Sequence, residues 1–361
     1  MRVGLIIYGS LRTVSGGYLY DRLLVERLER EGDTVEIISL PWRDYGRHLA
    51  DNLSGALLRR LAAGRFDVLL QDELNHPSLA WLNGRLRARA GYPIVAIVHH
   101  LRACEAWPAW QAALYRWVER RYLRTLDGYI FNSQTTRREV ERLAGAGRPA
   151  VVALPGGDRL RPAVDAAMVR ARARAAGPCR LVFVGNVTPR KGLHTLIAAL
   201  GRLDRLDWRL SAVGSLTADR AYAAALRRQI ERAGLGGQVE LLGGVTDDEL
   251  ARRLAAGHLL AVPSTYEGFG IVYIEAMGFG LPVIATTAGA AGEVVADGET
   301  GYLVPPADPA ALADRLGRLM RDRARLAELG LAALRRYAAH PSWADTTGAI
   351  RGFLAEVAGV R

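Results

Sequence analysis

The chain has 361 residues, half of them hydrophobic and 24% charged, with a mean hydropathy of +0.04. This composition excludes disorder, collagen-like repetition and low complexity, and the length predicts two domains, since single cores usually hold roughly 100–200 residues. The formal net charge of +11 is spread over both halves, so no nucleic-acid domain is expected, while a general positive field suits anionic partners such as nucleotides or acidic lipid surfaces.

Residues 1–10 carry one Arg and a short β-rich run without the apolar core of a secretory signal, and they read as a first strand. Runs rich in Val, Ile and Leu recur at 3–8, 34–39, 66–71, 93–98, 128–131 and 150–154, separated by stretches of helical periodicity. Continuous apolar strands alternating with amphipathic helices predict βαβ units and a parallel sheet buried on both faces. The series restarts with strands at 180–184, 208–213, 238–242, 259–262, 282–285 and 302–304, alternating with helices at 192–206, 219–234, 247–256 and 269–279. Between the series, Pro155-Gly156-Gly157-Asp158, Arg161-Pro162 and Gly177-Pro178 mark turns. The predicted organisation is an N-terminal domain 1–158, a linker 159–178, a C-terminal domain 179–340, and a C-terminal helix within 341–361 packing back toward the N-terminal domain. Further helices are expected at 308–322, 324–339 and 343–358. Two tandem α/β sheets would leave a ligand cleft at the carboxyl ends of their strands.

No apolar run approaches the ~20 residues of a membrane-spanning helix. Cys104 and Cys179 lack metal-ligand spacing, which argues against a disulfide framework or a zinc site and for a reducing, cytoplasmic compartment. Of the 48 basic side chains other than histidine, only Lys191 is a lysine, a candidate for chemistry that a guanidinium performs less well.

Lys191 lies in Phe183-Val184-Gly185-Asn186-Val187-Thr188-Pro189-Arg190-Lys191-Gly192-Leu193, which closes a strand with Gly and opens a helix at Gly192. Two cations before a helix N-terminus suit a diphosphate. An ordinary βα turn with solvated charges is the alternative. The second stretch is Glu267-Gly268-Phe269-Gly270-Ile271-Val272-Tyr273-Ile274-Glu275. Gly268 and Gly270 would let amides approach a ligand, with a helix starting near Phe269. Read as two helical turns apart, ~12 Å, the carboxylates of Glu267 and Glu275 are too distant for an acid/base pair and suit two parts of one extended ligand, or else a structural role.

With these landmarks, nearly the whole chain resembles the retaining, nucleotide-sugar-dependent glycosyltransferases of family 4, most strongly over 181–306. The family has the GT-B fold, two Rossmann-like parallel-sheet domains facing each other across a cleft. The other matching landmarks are Gly16-Gly17 after the first strand, His99 after the fourth, and the run GETGYLVPP at 298–306. The resemblance implies transfer of a hexose-type sugar from a UDP- or GDP-linked donor to a glycan or lipid-linked acceptor hydroxyl with retention, in glycan, glycolipid or cell-envelope polysaccharide synthesis. It places Lys191 on the donor diphosphate, Glu275 on the ribose hydroxyls, Glu267 and the amides of Gly268, Phe269 and Gly270 on the sugar, Gly16 and Gly17 beside phosphate and acceptor, and His99 next to the transferred sugar. Gly185 and Asn186 belong to the donor loop. Where the family commonly has Arg, this chain has Asn186, and Arg190 is expected to supply that cation. His100, following His99, leaves two imidazoles to choose between, and Pro155-Gly156-Gly157-Asp158 replaces the usual Pro-Asn-Gly-Val-Asp.

Preorganised cations and a helix N-terminus would stabilise the departing β-phosphate without metal or other cofactor. No Asp-x-Asp pair is present, and Asp72-Glu73 lacks that spacing. In the N-terminal half, Trp110 and Trp117 share a helical face, as do Tyr115 and Tyr122, with Arg116, Arg120, Arg121 and Arg124 between them. That helix suits anionic lipid headgroups, a packed core with an Arg edge, or sugar stacking. A NAD-dependent oxidoreductase is disfavoured because Gly9-Ser10 and Gly16-Gly17 do not give Gly-x-Gly-x-x-Gly. A GT-B nucleotide-sugar epimerase and a non-enzymatic protein with a decayed site are the remaining alternatives.

Overall fold

The computed structural model describes residues 1–203 and 207–360. They contain two six-stranded, wholly parallel sheets. In the first, β1 (Arg2–Tyr8), β2 (Thr34–Leu40), β3 (Val68–Asp72), β4 (Ile94–Val98), β5 (Gly128–Phe131) and β6 (Ala150–Val152) lie in the order β2-β1-β3-β4-β5-β6. In the second, β7 (Cys179–Val184), β8 (Trp208–Val213), β9 (Val239–Gly243), β10 (Leu259–Ala261), β11 (Val283–Thr286) and β12 (Gly301–Val304) lie in the order β12-β11-β10-β7-β8-β9. Central strands β3, β4 and β5 are buried along their whole length, as expected for a sheet covered by helices on both faces, whereas edge strand β2 alternates. Register is carried by apolar pairs: Val3 faces Val35 and Val68, and Leu181 faces Leu210 and Leu259.

Strand order reverses between β1 and β3 in one sheet and between β7 and β10 in the other. At such a point the following helices leave on opposite faces, so a crevice opens at the carboxyl ends of the two strands.

The chain divides into one unit of Met1–Pro155 with Trp343–Arg361 and a second of Gly156–Ser342. The final helix, Trp343–Ala358, belongs to the first unit. There Thr346 Oγ1 donates to Leu154 O at 2.6 Å, Arg351 Nε pairs with Asp33 at 2.7 Å, and Phe353 closes on Gly128, which has no side chain to obstruct it.

Residues 159–178 are not an irregular linker. They hold a helix, Ala166–Arg174, capped by Asp165 and burying Val169 and Ala173 within the second unit. Ala and Arg are good helix formers, and the flanking Pro162 and Gly177-Pro178 masked them. Val169 packs where Gly280 and Gly330 leave room. The expected helix 192–206 runs only from Leu193 to Leu200, and its last positions, 204–206, lie outside the described residues. The helix expected over 269–279 is Ile271–Gly278, because Gly270 adopts φ +90° and forms its left-handed entry. The 298–306 landmark builds β12 and the turn before it: a Cβ at Gly301 would lie 1.9 Å from Val283 O, so only glycine allows this strand to approach β11.

Candidate active site

In the second unit, the loops leaving β7 and β10 are stitched together at the strand-order reversal. After Val184, Gly185 donates its N–H to Val213 O, Pro189–Lys191 form one 3-10 turn, and Gly192 takes φ +70°. A Cβ on Gly192 would sit 2.1 Å from Pro263 O. The backbone of one loop therefore touches that of the other. Thr265 N donates to Arg190 O at 2.8 Å, and Arg190 Nη1 donates to Tyr266 O at 2.9 Å. Asn186 Oδ1 accepts from Ser215 N at 3.2 Å, which orders the loop from its other side.

This stitching places Lys191 against Glu267. The Lys191 stem lies over Gly185, and its Nζ donates to Glu267 Oε1, which also accepts from Ser264 Oγ at 2.6 Å. Arg190 Nη1 stands 3.8 Å from Glu267 Oε2. Burial opposes ionisation of Glu267, but the charges of Lys191 and Arg190 outweigh it and hold the carboxyl at about 2. Burial likewise draws Lys191 down, and Glu267 only partly restores it. The backbone of Glu267 is clamped as well: Ala290 N donates to its carbonyl at 2.8 Å, and Gly289, at φ +68°, presses so closely on that carbonyl that a Cβ would lie 2.1 Å away.

Glu267 precedes the helix that carries Glu275, so the two-turn separation inferred from sequence does not apply. Gly268 and Phe269 are buried between them, and the Phe269 ring lies 5.8 Å from His340. Glu275 has a different partner. Its Oε1 accepts from Arg159 Nε at 2.7 Å, and Arg159 Nη1 also pairs with Asp247. Burial raises the Glu275 carboxyl more than Arg159 lowers it. Sequence reasoning missed Arg159 because it fell in the stretch read as linker.

The first unit assembles a separate cluster at its own strand-order reversal. Ser15 caps the helix Gly16–Arg30, and Gly17 lies under the His99 ring, where a Cβ would be 3.0 Å from Cδ2. His99, directly after β4, has Nε2 3.2 Å from Asp21 Oδ1, with the Tyr20 ring edge-on at 5.3 Å. Asp72, at the end of β3, completes the cluster; the second carboxylate oxygens of Asp21 and Asp72 are buried without a hydrogen-bond partner among the described residues. Burial opposes a charge on His99, yet Asp21, by charge and hydrogen bond, and then Asp72 and Glu73 push the imidazole up to about 9. Burial and the neighbouring Asp21 raise Asp72. His100 is directed elsewhere, with Nε2 2.8 Å from Glu105 Oε1. Neither Asp21 nor Asp72 could be linked to His99 from spacing alone, because the three residues belong to a helix, the end of β3 and the position directly after β4.

Asp21, Asp72 and His99 present ligand atoms within 4.8 Å of one another, as do Glu73, His76 and Glu119. Both groups have donor sets that suit a cation, although a protonated His99 occupies that role electrostatically in the first. Burial lifts Glu73 and Glu119 to about 8. The raised His99, Glu73 and Glu119 each bind a proton in the folded state that the unfolded chain releases earlier, at about 6.5 for His and 4.5 for Glu. Their stabilisation is complete below those unfolded values and is lost as pH rises through about 8 to 9. Buried His76, shifted down, acts in the opposite sense only below about 6.5. The melting temperature of the first unit should therefore fall between pH 6.5 and 9. Tryptophan fluorescence reports it, since Trp208 alone lies in the second unit; a melting temperature that rises over this interval would contradict the assignment.

Two family profiles match the chain: Glycosyltransferase Family 4 over residues 20–158 and Glycosyl transferases group 1 over residues 168–336. The chain is 31% identical to D-inositol 3-phosphate glycosyltransferase of Nocardia farcinica, over 90% of this chain and 81% of the relative. It is 32% identical to phosphatidyl-myo-inositol mannosyltransferase of Mycobacterium leprae, over 93% of each. Among solved structures, sucrose-phosphate synthase from Thermosynechococcus elongatus matches with a TM-score of 0.84 at 24% identity, covering 99% of this chain and 98% of that one.

Proposed function

This chain is a family 4 glycosyltransferase of the GT-B fold, and from that premise we propose that it moves a hexose-type sugar from a UDP- or GDP-linked donor to the hydroxyl of a glycan or lipid-linked acceptor, with retention of anomeric configuration. The observation that carries this reading is the Lys191–Glu267 pair, held at the carboxyl ends of β7 and β10 by two glycine-only backbone contacts. The epimerase alternative draws no support from relatives named as transferases.

Lys191 and Arg190 neutralise charge that gathers on the β-phosphate as the sugar–phosphate bond lengthens. Glu267, ionised by its two cations, fixes the Lys191 ammonium and offers its carboxylate to a sugar hydroxyl. Amides of Gly268, Phe269 and Gly270 complete that subsite. Glu275 takes the ribose hydroxyls, which requires Arg159 to share or release it. In the first unit, His99, with Gly17 under its ring, is the candidate group. The acceptor attacks from the face the diphosphate leaves, and a departing phosphate oxygen takes the acceptor proton, so neither a protein nucleophile nor a metal ion is invoked.

The synthesis served is that of a glycolipid or cell-envelope glycan, on the cytoplasmic face of a membrane that the protein contacts peripherally. Among the described residues no helix is long and apolar enough to cross a membrane. Turnover assayed with UDP- and GDP-hexoses in excess chelator tests the reading. The expected result is undiminished transfer giving a product of the donor's own anomeric configuration; activity abolished by EDTA and restored by Mg²⁺ or Mn²⁺, or an inverted product, would overturn it.

A further inference from the structure

Outside the site, the first unit exposes a surface that its own packing does not explain. The helix Ala109–Leu123 buries Tyr115, Val118, Glu119, Tyr122 and Leu123, which satisfies its core face. Its opposite face carries Trp110, 68% exposed, and Trp117, 57% exposed, at the i, i+7 spacing of one helical stripe. Two large aromatic rings left in water on one stripe are a cost that folding alone would avoid.

The apolar surface continues beyond the helix. The half-buried Trp81 ring lies 5.3 Å from that of Trp117.

Charge on this face has one sign. Arg116, Arg120, Arg121 and Arg124 are exposed and form no ion pair among the described residues, and Arg121 lies 5.3 Å over the Trp81 ring. The one acid of the helix, Glu119, points inward and accepts from the backbone N–H groups of Arg102 and Ala103. Nearby acids are matched: Asp127 by Arg87, Asp51 by Arg43 and Glu105 by His100. Unneutralised guanidinium groups beside amphipathic indoles match an anionic bilayer, where phosphates lie at the level of the Arg side chains and the headgroup boundary accepts Trp.

We propose that this face, built from Trp81, Trp110, Trp117 and the four arginines, docks the protein on an anionic phospholipid membrane. The inference rests on the reading above in that a membrane-resident acceptor gives the docking a purpose, but it concerns a different surface and can fail separately.

The test is co-sedimentation of the full chain with phosphatidylcholine vesicles, with and without phosphatidylglycerol, at low and high salt. Binding is expected only to the anionic vesicles and only at low to moderate salt. Replacing Arg120, Arg121 and Arg124 together with Gln should weaken it on the order of 10²-fold. Trp110 and Trp117 should be quenched by brominated acyl chains in the wild type, and Trp110→Ala with Trp117→Ala should reduce both quenching and binding. Nucleotide binding, measured on the same variants, should be unchanged, which separates a failed docking surface from a failed donor site. Absence of binding to anionic vesicles at low salt, equal binding to neutral vesicles, or an arginine variant that binds as the wild type does would each overturn the proposal.

Discussion

Lys191→Ala is expected to lower turnover about 10²-fold, the usual cost of removing one preorganised charge partner from a developing oxyanion. The substitution also strands Glu267, a buried carboxylate left with Arg190 at 3.8 Å and Ser264, so thermal stability must be measured beside activity. Lys191→Met combined with Glu267→Gln removes both charges and avoids the stranded one. That double variant should fold more stably than Lys191→Ala and remain as poor a catalyst. Lys191→Arg should be impaired too, because the Lys stem lies over Gly185 in a space shaped for a narrow chain and a planar fork does not replace a compact ammonium there. Glu275→Gln should instead raise the donor KM and spare kcat, since the role proposed for it is on the ribose rather than on the leaving group. A folded Lys191→Ala protein with near-normal turnover would refute the leaving-group role.

Gly192→Ala should unfold the second unit at a markedly lower temperature. At φ +70°, an L-residue costs roughly 1–2 kcal/mol, and a Cβ placed 2.1 Å from Pro263 O forces the two loops apart, which adds about 1–3 kcal/mol. Together these lower the melting temperature on the order of 10 °C for a unit of this size. Activity should fall further than stability explains, because the same displacement separates Lys191 from Glu267. Gly84→Ala is the matched control. It lies in the helix Leu82–Arg87 with nothing within 4 Å of its would-be Cβ, so it should be neutral or stabilising by about 0.5–1 kcal/mol. Calorimetry that ranked the two variants equally would contradict the account of the loop contact.

Much of this protein is determined locally and is therefore legible in its sequence. Continuous apolar runs between helical periods specify parallel strands, because a strand covered on both faces admits a polar side chain only where a partner meets it, as Asn83 meets Gln71 in β3. Gly185, Lys191, Gly192 and Glu267 stand at strand ends and before helix starts, where backbone amides and charges can meet a ligand, so chain order alone marks them as candidates. Helix 166–174 escaped notice because its flanking Pro and Gly carried a stronger local signal than its Ala and Arg residues.

Tertiary structure alone decided which of these groups meet. Lys191 and Glu267 are 76 positions apart, and the order β10-β7 brings their loops together. His99 acquires its charge from Asp21 and Asp72, which arrive on a helix and another strand. Glu275 is held by Arg159. In the helix 109–123, spacing showed that Trp110 and Trp117 share a face but not whether that face was core or surface. Burial of the opposite side settled it, because a helix has only one stripe to give to the core and here Tyr115, Val118 and Tyr122 occupy it.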